Sequence, residues 1–188
     1  LEKLGPLAKV GPPLRPADHT NQESLWRGSA DGFVSCIGSD HSPASKEQKD
    51  RGWENIYVAS DGTPIPFGAP SVETLVPLVY SEGVAKRGLP IWWMARVMAE
   101  NPARIFGLYP RKGVIQPGSD ADLLIIDPDA SFTIHASDHH STTGYTPYEY
   151  REVQGKPWMT MLRGRVVLNQ GKLEQGPGYG QFIPAVGP

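Results

Sequence analysis

The sequence predicts an α/β chain in which a helix-rich segment precedes a strand-rich one, and three observations carry that reading. Gly32-Phe33-Val34-Ser35-Cys36-Ile37-Gly38 is a short, largely apolar run that ends abruptly at Ser39-Asp40-His41-Ser42-Pro43. It reads as a strand over 33–39 buried on both faces, the pattern of a parallel sheet. Apolar residues over 72–79 and 91–98 fall at helical spacing. After Pro110 the chain changes to short strand-like runs separated by turn residues, which places a border between two segments near 110–115. An acid at the carboxyl end of a buried parallel strand stands where barrel enzymes keep catalytic groups. A turn-forming Asp is the commoner explanation of a lone Ser-Asp-His, so Asp40 depends on its surroundings.

In order, residues 1–20 hold Gly5-Pro6, Gly11-Pro12-Pro13 and Pro16 with no period, and are expected to form an extended loop. Asn21 stands as an N-cap before a short helix at Gln22–Arg27 that Gly28 or Gly32 ends. Residues 42–70 form a long polar, then Gly/Pro-rich loop of the kind that serves as a lid or binding loop. Ser71 precedes a helix carrying Val72, Leu75, Val76 and Val79, with Pro77 in its first turn or at a kink. Pro90 suits a first helical position, and the helix through Trp92, Trp93 and Met94 is expected to stop by Asn101, the residue before Pro102. A short helix from Ala103 to Phe106 ends at Gly107. Strand-like runs follow at Val114-Ile115, Leu123–Ile126, Phe132–Ile134 and Met159–Leu168. The Gly/Pro-rich tail 176–188 reads as an arm.

Bulk properties exclude several classes. The 188 residues carry 18 basic and 20 acidic side chains, a net charge of −2 with no basic block, so no nucleic-acid or acidic-membrane partner is expected. No apolar run is long enough to span a bilayer. A lone Cys36 fits a reducing, cytoplasmic setting. The opening Leu1-Glu2-Lys3 carries no leader-like run and the first Met is Met94, so the chain is expected to be a piece of a longer protein.

Three stretches together resemble the cyclic amidohydrolases, in their hydantoinase and dihydropyrimidinase branch. They are Lys9-Val10-Gly11-Pro12-Pro13-Leu14-Arg15, then Ser39-Asp40-His41, then Asn101-Pro102-Ala103-Arg104 through Gly107–Gly113 and Gly118-Ser119-Asp120-Ala121-Asp122-Leu123. The resemblance covers roughly 9 to 183. It implies that 1–112 is the C-terminal portion of a metal-dependent (β/α)8 TIM barrel, 113–175 a segment of a small β-sandwich, and 176–188 an arm.

The resemblance also implies chemistry. Two divalent metal ions, usually zinc, share a bridging hydroxide at the barrel mouth of such enzymes. Asp40 matches the aspartate that ligates one metal and takes the hydroxide's proton. The other ligands, a His-x-His pair, a carboxylated Lys and two further His, find no counterpart here and are expected on the missing N-terminal half of the barrel. Phe67 and Gly68 match the substrate-binding loop, with Phe67 standing where many dihydropyrimidinases carry Asn, which exchanges a side-chain amide for an apolar wall. His41 is either an orienting partner of Asp40 or a loop histidine. His135 and His139 are four apart, a metal-ligand spacing only on a helix, which their strand-like surroundings do not offer.

The function implied is hydrolysis of a cyclic amide C–N bond in a hydantoin or dihydropyrimidine-type ring, by a homo-oligomer (dimer or tetramer) on a small-molecule substrate. Allantoinase or dihydroorotase chemistry is the near alternative. A different class is the dihydropyrimidinase-like scaffold protein, which generally lacks the Asp that this chain keeps at position 40.

Overall fold

The computed structural model describes residues 4–15 and 19–185, in two compact units. The first is assembled from 1–19, 39–76 and 133–153, and the second from 20–38, 77–132 and 154–188. Among the described residues no helix is long and apolar enough to cross a membrane.

In the first unit the opening loop contains a 3-10 turn at Gly5–Ala8, started by Pro6 at a position where its missing N–H costs nothing. The expected extension of 1–20 is corrected further at its end. Helix α1 (His19–Ala30) begins before Asn21, which lies inside it rather than capping it. Ser24 donates back to the Thr20 carbonyl within that first turn (2.7 Å). Pro16, counted in the expected loop, lies outside the described residues, as do the last three residues of the arm.

The long 42–70 segment is not structureless. Helix α2 (Lys46–Asp50) is set by a capping box, with the Gln48 amide donating to Ser45 Oγ and the Ser45 amide to Gln48 Oε1. Val58 then bridges to Pro64 across the tight turn at Asp61. Helix α3 (Val72–Val79) accommodates Pro77 well past its first turn and opens into a π turn, Tyr80–Ala85. The core of this unit gathers Ala8, Ala59, Ile65, Ile134, Tyr145 and Val153, together with two buried lysines, Lys9 and Lys49.

The expected strand 33–39 does not form as a strand. The stretch is extended, but a strand requires neighbours to receive its amides and carbonyls. Among the described residues its bonds go to other partners, Val34 donating to the Gly28 carbonyl (2.9 Å), Ile37 to the Val97 carbonyl (3.0 Å) and Asn101 Nδ2 to the Ser35 carbonyl (2.6 Å), and Phe33 is 89% exposed. Burial on both faces is therefore also corrected.

In the second unit α4 (Ile91–Ala95), with Pro90 as its N-cap, runs on through a π turn, Arg96–Glu100, into α5 (Asn101–Ile105). The expected stop before Pro102 is overturned. The wide turn, in which the Asn101 amide reaches the Arg96 carbonyl, removes the register in which a proline would break the ladder. Gly107, with φ +67°, closes the helix as expected. Trp93 and Val97 are buried, and Trp26 packs on Trp93 with ring centres 5.8 Å apart, while Trp92 is exposed.

The strand-rich segment forms one four-stranded sheet in the order β1-β2-β3-β4: β1 (Leu123–Thr133), β2 (Glu152–Leu162), β3 (Arg165–Asn169) and β4 (Lys172–Leu173). β1 absorbs two expected runs because Asp127-Pro128 bends it without ending it. Pro128 is tolerable on an edge strand, and Asp127 Oδ1 accepts the Asp129 and Ala130 amides. The single expected run 159–168 is a hairpin, β2 antiparallel to β3, turned at Arg163-Gly164 where both residues have positive φ. Val114-Ile115 stays outside the sheet, with Ile115 exposed.

Candidate functional site

Asp40 sits at the end of the extended stretch with φ +45°, a left-handed conformation that Asp tolerates better than most residues. Such strain persists only where surrounding structure fixes it. The fixing groups come from the segment leading into α3. His41 pairs with Ala69 as a parallel bridge, and the Ser42 amide donates to the Ala69 carbonyl (3.3 Å). Ser71 Oγ donates to the Ser39 carbonyl (2.7 Å). The amides of Ser71 and Val72 both donate to His41 Nδ1 (3.1 and 3.2 Å), so the ring carries its hydrogen on Nε2. The imidazole thereby satisfies amides at the N-terminus of α3, which has no intrahelical partners for them. Residues 39–42 and 69–72 are thus stitched together on both sides of Asp40, whose side chain is exposed.

The other two expected residues come to the same place. Gly68, at φ +94°, lies so close to Ser42 that a Cβ there would be 2.2 Å from the Ser42 carbonyl oxygen. Only glycine permits that approach. It brings Phe67 beside the loop that follows Asp40, with the Phe67 ring 58% exposed. The Gly68 amide donates to the Lys9 carbonyl (3.0 Å), and the Lys9 ammonium lies 4.1 Å from the centre of the Phe67 ring. Asp40, His41, Phe67 and Gly68 therefore share one unit and neighbouring, bonded loops.

Two residues that no local pattern marks for this role hold the arrangement. One is Lys9, whose motif was legible but whose contacts were not. The other is Glu73, in the first turn of α3. Its carboxylate accepts from the His140 amide (2.9 Å), the Ser141 amide (3.0 Å) and His140 Nδ1 (2.9 Å). Burial alone would raise the Glu73 carboxyl, but these donors outweigh it and hold it below the usual carboxylate range. His135 pairs with Glu149 (3.1 Å). His135 and His139 flank a single 3-10 turn, Ala136–Asp138, in extended conformations.

The shallow groove beside His41, lined by Pro70, Ser71, Glu73, Thr74 and Ser141, is open to solvent and encloses no cavity of its own. Asp40 offers one exposed carboxylate, a suitable single donor to a divalent cation. Among the described residues no three His, Cys, Asp or Glu side chains stand close enough to hold a metal ion. The described residues therefore hold no complete donor set for a metal pair.

Comparison with known proteins adds to this geometry. The profile of the amidohydrolase family matches residues 19–167. The chain is 39% identical over 182 residues to an L-hydantoinase of Paenarthrobacter aurescens, covering 97% of this chain and 38% of the relative. It is 37% identical over 173 residues to a D-hydantoinase of Geobacillus stearothermophilus, covering 92% and 35%. The solved L-hydantoinase (dihydropyrimidinase) from Arthrobacter aurescens superposes with a TM-score of 0.87 at 38% identity, over 97% of this chain and 39% of that one. The chain spans less than two-fifths of the length of the relatives it matches.

Proposed function

Because the chain belongs to the amidohydrolase family, whose members generally use divalent metals, we propose that the complete protein opens a cyclic amide ring of the hydantoin or dihydropyrimidine type. On this reading residues 1–112 close a TIM barrel, 113–175 belong to a β-sandwich, and 176–188 form an arm. The remaining metal ligands, with zinc as the expected metal, lie on an N-terminal half of the barrel. The hydantoinase names of the relatives support this substrate class, and the same resemblance is the basis for a cytoplasmic homo-oligomer.

The observation that carries the proposal is Asp40, an exposed carboxylate in a left-handed conformation, pinned on both sides to residues 69–72. A bound divalent metal would acidify water and polarise the amide carbonyl. Asp40 contributes one ligand and a base. Its carboxylate accepts the proton of the attacking water and returns it to the ring nitrogen as the C–N bond breaks. His41 takes part by fixing the backbone from which Asp40 projects. Phe67 presents an apolar wall to the ring substituent, and the Phe67-Gly68 backbone allows close approach of an imide.

The test is Asp40→Asn in the complete protein. It keeps the shape and removes the charged ligand and the proton acceptor together, so kcat/KM for hydantoins should fall by at least ~10²-fold. A variant hydrolysing at near the parental rate contradicts the assignment of Asp40.

A further inference from the structure

Lys9 is 6% exposed, and no ion pair to it exists among the described residues. Its ammonium donates to the Ile65 carbonyl (2.6 Å) and lies 4.1 Å from the centre of the Phe67 ring, with the Tyr57 ring at 5.4 Å. Its own carbonyl accepts the Gly68 amide (3.0 Å) and Lys49 Nζ (2.8 Å). One residue therefore grips the loop at Ile65, Phe67 and Gly68, through both its side chain and its main chain.

A buried cation with no carboxylate partner among the described residues is a costly way to fill space, and an apolar side chain of the same length would avoid the cost. What the ammonium supplies is direction. Aromatic faces attract a cation over the ring centre, so the charge selects one orientation of a ring that is otherwise half free. Phe67 is 58% exposed. Lys49, itself fully buried, donates to the Lys9 carbonyl and so fixes the Lys9 main chain beside the loop.

We infer that Lys9 is a positioning residue for substrate selection, fixing the Phe67 ring and the Gly68 backbone as the wall that sorts cyclic amides by their ring substituent. The inference rests on the proposed ring-opening function only in making Phe67 a wall of the substrate site. Lys9 touches no reacting atom, so its effect should appear in KM for substituted rings and not in kcat.

The experiment uses the complete, metal-loaded protein and two substitutions. Lys9→Met keeps the stem and removes the charge, while Lys9→Arg keeps a cation. Each is made alone and in a Phe67→Ala background, and kcat and KM are measured for 5-phenylhydantoin and dihydrouracil. Lys9→Met should raise KM for the phenyl-substituted ring by about 5- to 10-fold, with kcat and the dihydrouracil constants changed by less than about 2-fold. Lys9→Arg should restore most of the loss, and Lys9→Met should add nothing once Phe67 is gone. Equal losses on both substrates, or an undiminished Lys9→Met effect without Phe67, overturn the inference. If the parent opens neither ring, the functional reading fails on its own account and the positioning claim is decided by hydrogen exchange. The Gly68 amide should then exchange at least ~3-fold faster in Lys9→Met than in the parent, and unchanged exchange overturns it.

Discussion

Lys49→Met should stabilise the protein at neutral pH even though it deletes a hydrogen bond. Lys49 is fully buried, and burial, with the neighbouring Lys9 ammonium second, pushes its ammonium down from 10.5 to about 8. A lysine lowered on folding carries its full penalty below the folded value, where it is charged in both states. The penalty is relieved as pH climbs from about 8 to 10.5, because the unfolded chain still binds a proton that the fold has released. The gap between those values corresponds to about 3 kcal/mol at ~1.36 kcal/mol per pH unit. Against it stands the lost bond to the Lys9 carbonyl, worth about 1 kcal/mol. That carbonyl keeps the Gly68 amide, so it is not orphaned. Met fills most of the volume of the lysine stem at small packing cost. The expected gain is ~1–2 kcal/mol near pH 7, shrinking towards zero near pH 10. Urea unfolding of the complete protein at both pH values measures it. A variant less stable than the parent at pH 7, or a gain that did not shrink with pH, would refute the reasoning.

Other substitutions probe the same unit. Gly68→Ala forces a Cβ towards the Ser42 carbonyl at φ +94°, and should cost at least ~2 kcal/mol in thermal unfolding; an unchanged Tm contradicts the close approach. Glu73→Gln should destabilise at pH 7 and progressively less as pH falls. A carboxyl held below its ordinary 4.5 contributes stability above that value and loses it as pH drops through the lowered one. Melting curves at about pH 7 and pH 3 give the comparison, and a pH-independent deficit removes the carboxylate from the account. Produced alone, these 188 residues should hold no catalytic metal pair and open no ring. Mass spectrometry and zinc analysis decide, since a monodisperse 20.5 kDa species carrying a zinc pair contradicts the incomplete donor set.

What was legible in the sequence was local. Ser39-Asp40-His41 could be marked because an apolar run stops there, and Gly107 because positive φ has few suitable residues, whereas the turn at Arg163-Gly164 lay hidden inside one apolar run. The strand before Asp40 was misread because a strand depends on neighbours and no residue pattern supplies them. Asn101-Pro102 was misread because a π turn five residues earlier changes the ladder that proline would otherwise break. Lys9 and Glu73 were missed for a third reason. Lys9 meets Ile65 56 positions away, and Glu73 meets His140 67 positions away. Their chemistry lies in contacts that no window of neighbouring residues contains. Phe67 and Gly68 were found only through the family resemblance, since Pro66-Phe67-Gly68 reads as an ordinary turn.

The unit around Asp40 is stitched from three separated stretches, and this has a consequence for how the protein is born. Glu73 emerges from the ribosome 67 and 68 residues before the two amides that it clasps. At about 5–20 residues per second, residues 39–76 wait roughly 3–13 s for 133–153 to arrive. The His41 pin can close sooner, after roughly 1.5–6 s, because Ser71 and Val72 follow it by 30 and 31 residues. The Glu73 clasp cannot. Synthesis therefore makes the two fastenings possible in order, first at the Asp40 turn and later at the foot of α3. A message cut short after Phe132 would yield a polypeptide that carries the Asp40 motif whole and never completes the second fastening.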